Sequence, residues 1–207
     1  MKYIIGIDEV GRGPVAGPVT LCACIIPKTF KIKKIFIDGK IKDSKKLKKD
    51  SRYKIYQTIL KLRKLEVVDF AVSSRSAEYI DKHGISKAIK SCIKSILNNL
   101  EKKKSLYFCM SSQRTLGFSV EIVLDGSLYA PEEYKNQKTI IKGDEKELSI
   151  ALASIIAKHT RDSYMEKLAK QINKYDWYNN MGYGTAKHME AIKKYGLTKY
   201  HRKTYIR

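Results

Sequence analysis

Tyr3-Ile4-Ile5-Gly6-Ile7-Asp8-Glu9-Val10-Gly11-Arg12-Gly13-Pro14 opens the chain with an apolar strand that runs straight into acid. Residues 3–7 have the β-branched character of a buried strand, and the two glycines and proline that follow prescribe a tight turn. Two adjacent carboxylates at the end of a buried strand are costly to hold ionised unless a cation lies between them. The turn then offers Arg12 and backbone N–H groups to a neighbouring anion. Acids for a metal beside donors for a phosphate point to phosphodiester chemistry.

Working outward, residues 19–27 read as a second strand, joined to the first (residues 3–8) through the Gly/Pro turn. Ser51 is the expected cap of a helix over residues 52–64, and residues 66–72 form a third expected strand. Ile85, Ala88, Ile89, Cys92, Ile93, Ile96, Leu97 and Leu100 recur at three- and four-residue steps, the spacing of an amphipathic helix. Residues 120–124 predict a strand ending at Asp125-Gly126, and residues 139–141 another ending at Gly143-Asp144. A long helix over about 148–172 and a last one after Thr185 complete the pattern. Strands interleaved with helices predict an α/β sheet packed between helices. The expectation is a single domain over 1–207, with a core over about 1–172 and a helical C-terminal segment over about 173–207.

Lys and Arg number 42 against 21 acids, a net charge of +21. Two readings of that excess stay open: compositional drift, since Lys, Ile, Tyr and Asn are all abundant, or a polyanionic partner bound through its phosphates. Cys22, Cys24, Cys92 and Cys109 contain no C-x-x-C pair, and His83, His159, His188 and His201 show no metal-ligand spacing, which argues against zinc. Buried thiols in a reducing compartment account for the cysteines. The first apolar stretch is short and broken by acid, and no run reaches membrane-spanning length, so a soluble cytoplasmic protein with no membrane partner is expected.

Three apolar runs end in acid: at Asp8 with Glu9, at Asp125 and near Asp144. Neighbouring strands lie ~5 Å apart, so carboxylates at equivalent strand ends can converge on an ion. Oxygen ligands without Cys or His favour Mg²⁺ or Mn²⁺. Two such ions ~4 Å apart can activate a water and neutralise a leaving oxygen. Any single aspartate at a strand end is as readily a turn or cap residue; the three sites together, beside the glycine turn, favour the metal. Residues 11–16 also fit G-x-G-x-x-A, but that dinucleotide fingerprint must open a helix, and the β-branched run from Val19 reads as strand.

An ordered set of motifs carries a family resemblance. Residues 8–18 read DEVGRGPVAGP, 43–47 DSKKL, 124–126 LDG, 142–144 KGD, 150–162 IALASIIAKHTRD and 182–188 GYGTAKH. In this order they resemble ribonuclease HII, the bacterial type 2 ribonuclease H, over nearly the whole chain. The resemblance implies a ribonuclease H-like mixed sheet flanked by helices, with a helical C-terminal lobe. It implies that Asp8, Glu9, Asp125 and Asp144 are catalytic and bind Mn²⁺ or Mg²⁺ in a two-metal mechanism. Gly11, Arg12 and Gly13 would recognise a ribonucleotide 2′-hydroxyl, Tyr183 would pack on the adjoining sugar, and Ser44, Lys45 and Lys46 would hold the backbone. The implied partners are RNA–DNA hybrids and duplex DNA with embedded ribonucleotides, nicked to leave 5′-phosphate and 3′-hydroxyl ends, by a monomer. Its roles would be ribonucleotide removal and primer RNA degradation.

These roles agree with the residue chemistry. The 2′-hydroxyl is what distinguishes RNA from DNA, glycine permits close backbone approach, and a tyrosine can stack and hydrogen-bond at once. Asp162 is expected to pair with Arg161 or a lysine, outside the metal set, and His188 to be structural. Departures from the family pattern are Met181 where lysine is common, Leu152 and His159 within the small-residue helix, and a longer segment over about 101–119. The tail, Tyr205-Ile206-Arg207, carries no evident peptide for docking a replication clamp.

Overall fold

The computed structural model describes residues 2–31, 47–102 and 119–206; Ser44, Lys45 and Lys46 therefore lie outside the described residues. The first two strands, β1 (Lys2–Val10) and β2 (Val19–Pro27), pair antiparallel across the glycine turn, with Val10 opposite Thr20. Strand β3 (Asp69–Arg75) adds antiparallel to β2, while β4 (Ser119–Asp125) and β5 (Gln137–Ile140) extend the other side in parallel. The result is a mixed five-stranded sheet ordered β3-β2-β1-β4-β5, with β1 at its centre.

Alternation along the central strands sorts their side chains between two cores. Tyr3, Ile5 and Ile7, with Val19, Leu21 and Ala23, pack against helix α3 (Ile85–Lys102) through Ile89, Cys92, Ile93 and Ile96. On the opposite face Cys22 and Cys24 pack with Ile55 and Ile59 of α1 (Lys49–Lys64) and with Leu152 and Ile156 of α5 (Leu148–Gln171). Both cysteines are thus buried thiols on one face, as their spacing predicts. Helix α5 is buried almost all round in its first half, because it lies on β1 and β2 and beneath α1.

Several boundaries differ from the sequence expectation. Helix α1 starts at Lys49 behind Lys48, which makes no side-chain cap, and Ser51 lies inside its first turn. The third strand begins at Asp69, later than the hydrophobic pattern predicts, because Glu66 takes a positive φ of 56° and the Val67 N–H closes the helix end on the Leu62 carbonyl (3.0 Å). A short helix, α2 (Ala77–His83), capped by the Ser76 hydroxyl, escaped the periodicity analysis. Strand β5 ends at Ile140, and Asp144 sits in a one-turn helix, α4 (Gly143–Lys146), not at a strand end. The C-terminal region is helical: α6 (Trp177–Asn180), α7 (Ala186–Tyr195) and two short 3₁₀ turns surround Tyr175, Trp177 and Met165. Thr185 caps α7 as expected, its hydroxyl accepting from the His188 N–H. No described helix is long and apolar enough to cross a membrane.

Gly6 sets how deeply α5 sits on the sheet. A β-carbon there would stand 2.0 Å from the Ser149 carbonyl carbon and 2.2 Å from the Ile150 nitrogen. Backbone cannot yield as a flexible side chain can, so Gly6→Ala must lift the helix. We expect a loss on the order of 3 kcal/mol in chemical denaturation; a variant within about 0.5 kcal/mol of the parent would show that the seat is soft.

Candidate active site

Asp8 and Asp125 share a sheet face. Ile7 pairs with Leu124 in parallel register, so each aspartate follows one step later on its own strand. Ile7 and Leu124 face the α3 core, which turns both aspartates toward α5. Asp8 is buried there, accepting from the Glu9 N–H (2.8 Å) and from the Ser154 side chain of α5. Burial pushes its carboxyl up to about 8, with Glu9 and Asp125 adding to the rise and the two hydrogen bonds opposing it. Asp125 accepts the Gly143 N–H at 2.7 Å, which places the buried Asp144 one residue from that contact. Glu9 lies 3.7 Å from the Arg12 guanidinium.

Asp8, Glu9 and Asp125 therefore interact electrostatically, and Asp144 adjoins them through Gly143. Yet among the described residues no group of three or more His, Cys, Asp and Glu side chains is arranged to hold a metal ion. The aspartates at the strand ends are turned to protein donors, as mutually repelling carboxylates would be. The donor set itself suits a hard divalent cation: it is all carboxylate, and a cation would offset both the burial of Asp8 and the like charges that add to its rise. Asp162 stands apart, pairing with Lys158 (2.8 Å) and Arg52 (3.3 Å).

The glycine turn faces Tyr183. A β-carbon on Gly13 would lie 3.9 Å from the Tyr183 ring, which is 48% exposed. Gly11 is different: it is buried, its φ is 87°, and a β-carbon would point inward, 2.3 Å from Arg161 Nε. The interior itself requires glycine at this position. Arg161, one of the two partners considered for Asp162, reaches the turn and donates to the carbonyls of Pro18 (2.9 Å), Met181 (3.0 Å) and Ala16 (3.2 Å). Arg202, near the far end of the chain, donates to the carbonyls of Gly11 (2.6 Å), Arg12 (2.9 Å) and Gly17 (3.0 Å). Both side chains are buried. Burial and the neighbouring Arg202 lower Arg161 to about 10, which still leaves it charged at neutral pH.

A histidine pair fixes the Tyr183 segment from below. Thr198 N–H donates to His201 Nδ1 (2.9 Å), so His201 carries its proton on Nε2, facing His188 Nε2 at 3.2 Å. His188 Nε2 also accepts from Trp177 (2.9 Å), leaving Nδ1–H to donate to the Tyr183 carbonyl (2.8 Å). His188 is thus structural, as expected. The parts that sequence reasoning missed are Ser154, Arg161, His201 and Arg202; Ser154 and Arg161 lay in a matched motif without a sign of what they touch.

Comparison with known proteins agrees with this architecture. The family model described as Ribonuclease HII matches residues 5–207. The chain is 40% identical over 203 residues to ribonuclease HII of Wolbachia pipientis subsp. Culex pipiens, covering 98% of this chain and 89% of the relative. It is 38% identical over 206 residues to that of Pelagibacter ubique, covering 99% and 96%. Its fold superposes on ribonuclease H2 from Pyrococcus horikoshii OT3 with a TM-score of 0.70 at 25% identity, covering 98% and 93% of the two chains.

The histidine pair also predicts a pH response. Burial, with His188 beside it, pushes His201 down to about 4, and burial lowers His188 too. The unfolded rings take up protons at about pH 6.5, before the folded ones, so stability is lost as pH falls from there toward 4. The melting temperature should fall over that window, and the fall should be shallower in His201→Gln. Parallel wild-type and variant profiles would acquit the ring.

Proposed function

The chain belongs to the ribonuclease HII family and is a ribonuclease H-type endonuclease, and on that premise we propose that it nicks duplexes on the 5′ side of ribonucleotides, in RNA–DNA hybrids and at single sites within DNA. The products would carry 5′-phosphate and 3′-hydroxyl ends, and the role would be ribonucleotide removal and primer RNA degradation. The enzyme would act as a monomer on one domain. Asp8, Glu9, Asp125 and Asp144 would hold Mg²⁺ or Mn²⁺. Such ions, when bound, supply water activation and charge stabilisation at the phosphate.

The observation that carries this reading is the direct succession of the acids and the turn that faces Tyr183. A scissile phosphate drawn to divalent ions held by Asp8 and Asp125 would bring its ribose to the Gly11–Gly13 turn. The N–H groups of an open glycine turn can donate to a 2′-hydroxyl, and deoxyribose offers them no acceptor. Tyr183, exposed across from Gly13, would stack on the neighbouring sugar and could hydrogen-bond through its hydroxyl. The net charge of +21 would add sequence-independent, salt-dependent affinity for the duplex.

A labelled DNA duplex with one ribonucleotide, run beside an all-DNA control, tests the proposal. Nicking should occur at the ribonucleotide, stop on chelation, and fall by a hundredfold or more, on the order of the loss of a major electrostatic group, in Asp8→Asn or Asp125→Asn. Equal cutting of the control would defeat the specificity claim. Tyr183→Phe should lose about tenfold, concentrated on the single-ribonucleotide duplex; an unchanged rate there would remove Tyr183 from the site.

A further inference from the structure

Two buried guanidinium groups converge on the backbone carbonyls of one turn. Arg161 and Arg202 donate among the described residues to six main-chain oxygens, five of them in residues 11–18 when Gly17 is counted once, and Arg202 also meets the Tyr205 hydroxyl. The exception, Met181, immediately precedes the Gly182-Tyr183 pair. The Arg12 carbonyl receives a second donor, the Tyr205 hydroxyl, at 3.2 Å.

Peptide geometry turns these contacts into a direction. In a trans peptide the C=O and the following N–H point opposite ways. Arg202 draws the Gly11 and Arg12 carbonyls inward, so the N–H groups of Arg12 and Gly13 are turned outward. Both residues are exposed, and neither N–H has a protein acceptor among the described residues. Two consecutive outward N–H groups form a small oxygen-binding concavity. Arg161 meanwhile ties this turn to Tyr183: one guanidinium spans Ala16 and Pro18 on one side and Met181 on the other. The Ala16 N–H reinforces the link by donating to the Gly182 carbonyl at 3.0 Å.

We infer that Arg202 and Arg161 are positioning residues that set ribose specificity, Arg202 by aiming the Arg12 and Gly13 N–H groups and Arg161 by fixing the spacing between that turn and Tyr183. The inference rests on the proposed ribonucleotide recognition at the same site. Lysine keeps the charge but cannot substitute, because a single ammonium does not reproduce the planar fork that reaches Gly11, Arg12 and Gly17 together.

The test measures discrimination in binding. In an Asp125→Asn background with Mg²⁺ at fixed salt, affinities are compared for a labelled DNA duplex containing one ribonucleotide and for its all-DNA counterpart. Arg202→Lys and Arg161→Lys should each lower the ratio of the two affinities by on the order of tenfold while leaving all-DNA binding unchanged, since hydrogen bonds to a charged donor are lost but net charge is not. Tyr205→Phe, which removes a single hydroxyl, keeps the test open if a lysine variant fails to fold; it should lower the ratio by roughly threefold. A ratio retained in any folded lysine variant or in Tyr205→Phe overturns the inference. So does an equal loss on both duplexes, which would mark a general structural role. If the parent background already binds the two duplexes equally, ribonucleotide recognition itself fails, an outcome distinct from a selective parent with unaltered variants.

Discussion

The close seat of α5 on β1 is the contact from which the site is built. Gly6 lets the helix backbone touch the strand, and three further positions along α5 then meet successive parts of the same stretch of chain. Ser154 meets Asp8, Arg161 meets Gly11 and Pro18, and Met165 meets Gly17 and Gly182. These contacts follow one stripe of the helix, at steps of three- and four-residue multiples. Depth at Gly6 is therefore converted along the helix into the position of the acids, the turn and the Tyr183 segment. The small residues Ala151, Ala153 and Ala157, all buried, make that depth possible.

Among the described residues neither buried arginine has a carboxylate in ion-pair contact, an unusual arrangement because an interior charge is expensive to leave without one. Here each guanidinium is solvated by several carbonyl dipoles that a glycine- and proline-rich turn could not satisfy within itself. Both parties gain: the turn places its inward oxygens and the cation obtains its acceptors. What remains is net positive charge behind a surface that would meet a polyanion, opposite in sign to the acids at the end of β1. The site is thus split into an anionic half, suited to cations, and a half that presents donors.

Much of this was legible in the chain. The apolar, β-branched runs of residues 3–7 and 19–27, the periodicity of α3 and the acid closing β4 are local patterns, and each emerged as read, whereas Asp8 and Glu9 lie inside β1, which continues in register to Val10. The misreadings cluster where a local rule met a competing one. Asp144 followed an apolar run but lies in α4, because Lys142 adopts a left-handed conformation that breaks the strand. Ser51 was a plausible cap overtaken by a helix that starts earlier. Asp162 pairs with Lys158, one of the two kinds of partner its position suggests, while the other, the adjacent Arg161, turns to main-chain carbonyls that no charge pattern reveals.

Side-chain chemistry, strand and helix periodicity and turn residues were determined by the sequence alone, because they depend on neighbours within a few positions. The parallel register that sets Asp125 one step beyond Leu124 beside Asp8, the depth of α5, and the clasp of Arg202 on Gly11 from 191 residues away were decided only by the tertiary structure. The reason is physical: every residue carries a backbone carbonyl, so a guanidinium that binds one leaves no mark in the partner's identity. Only packing determines which carbonyls it meets.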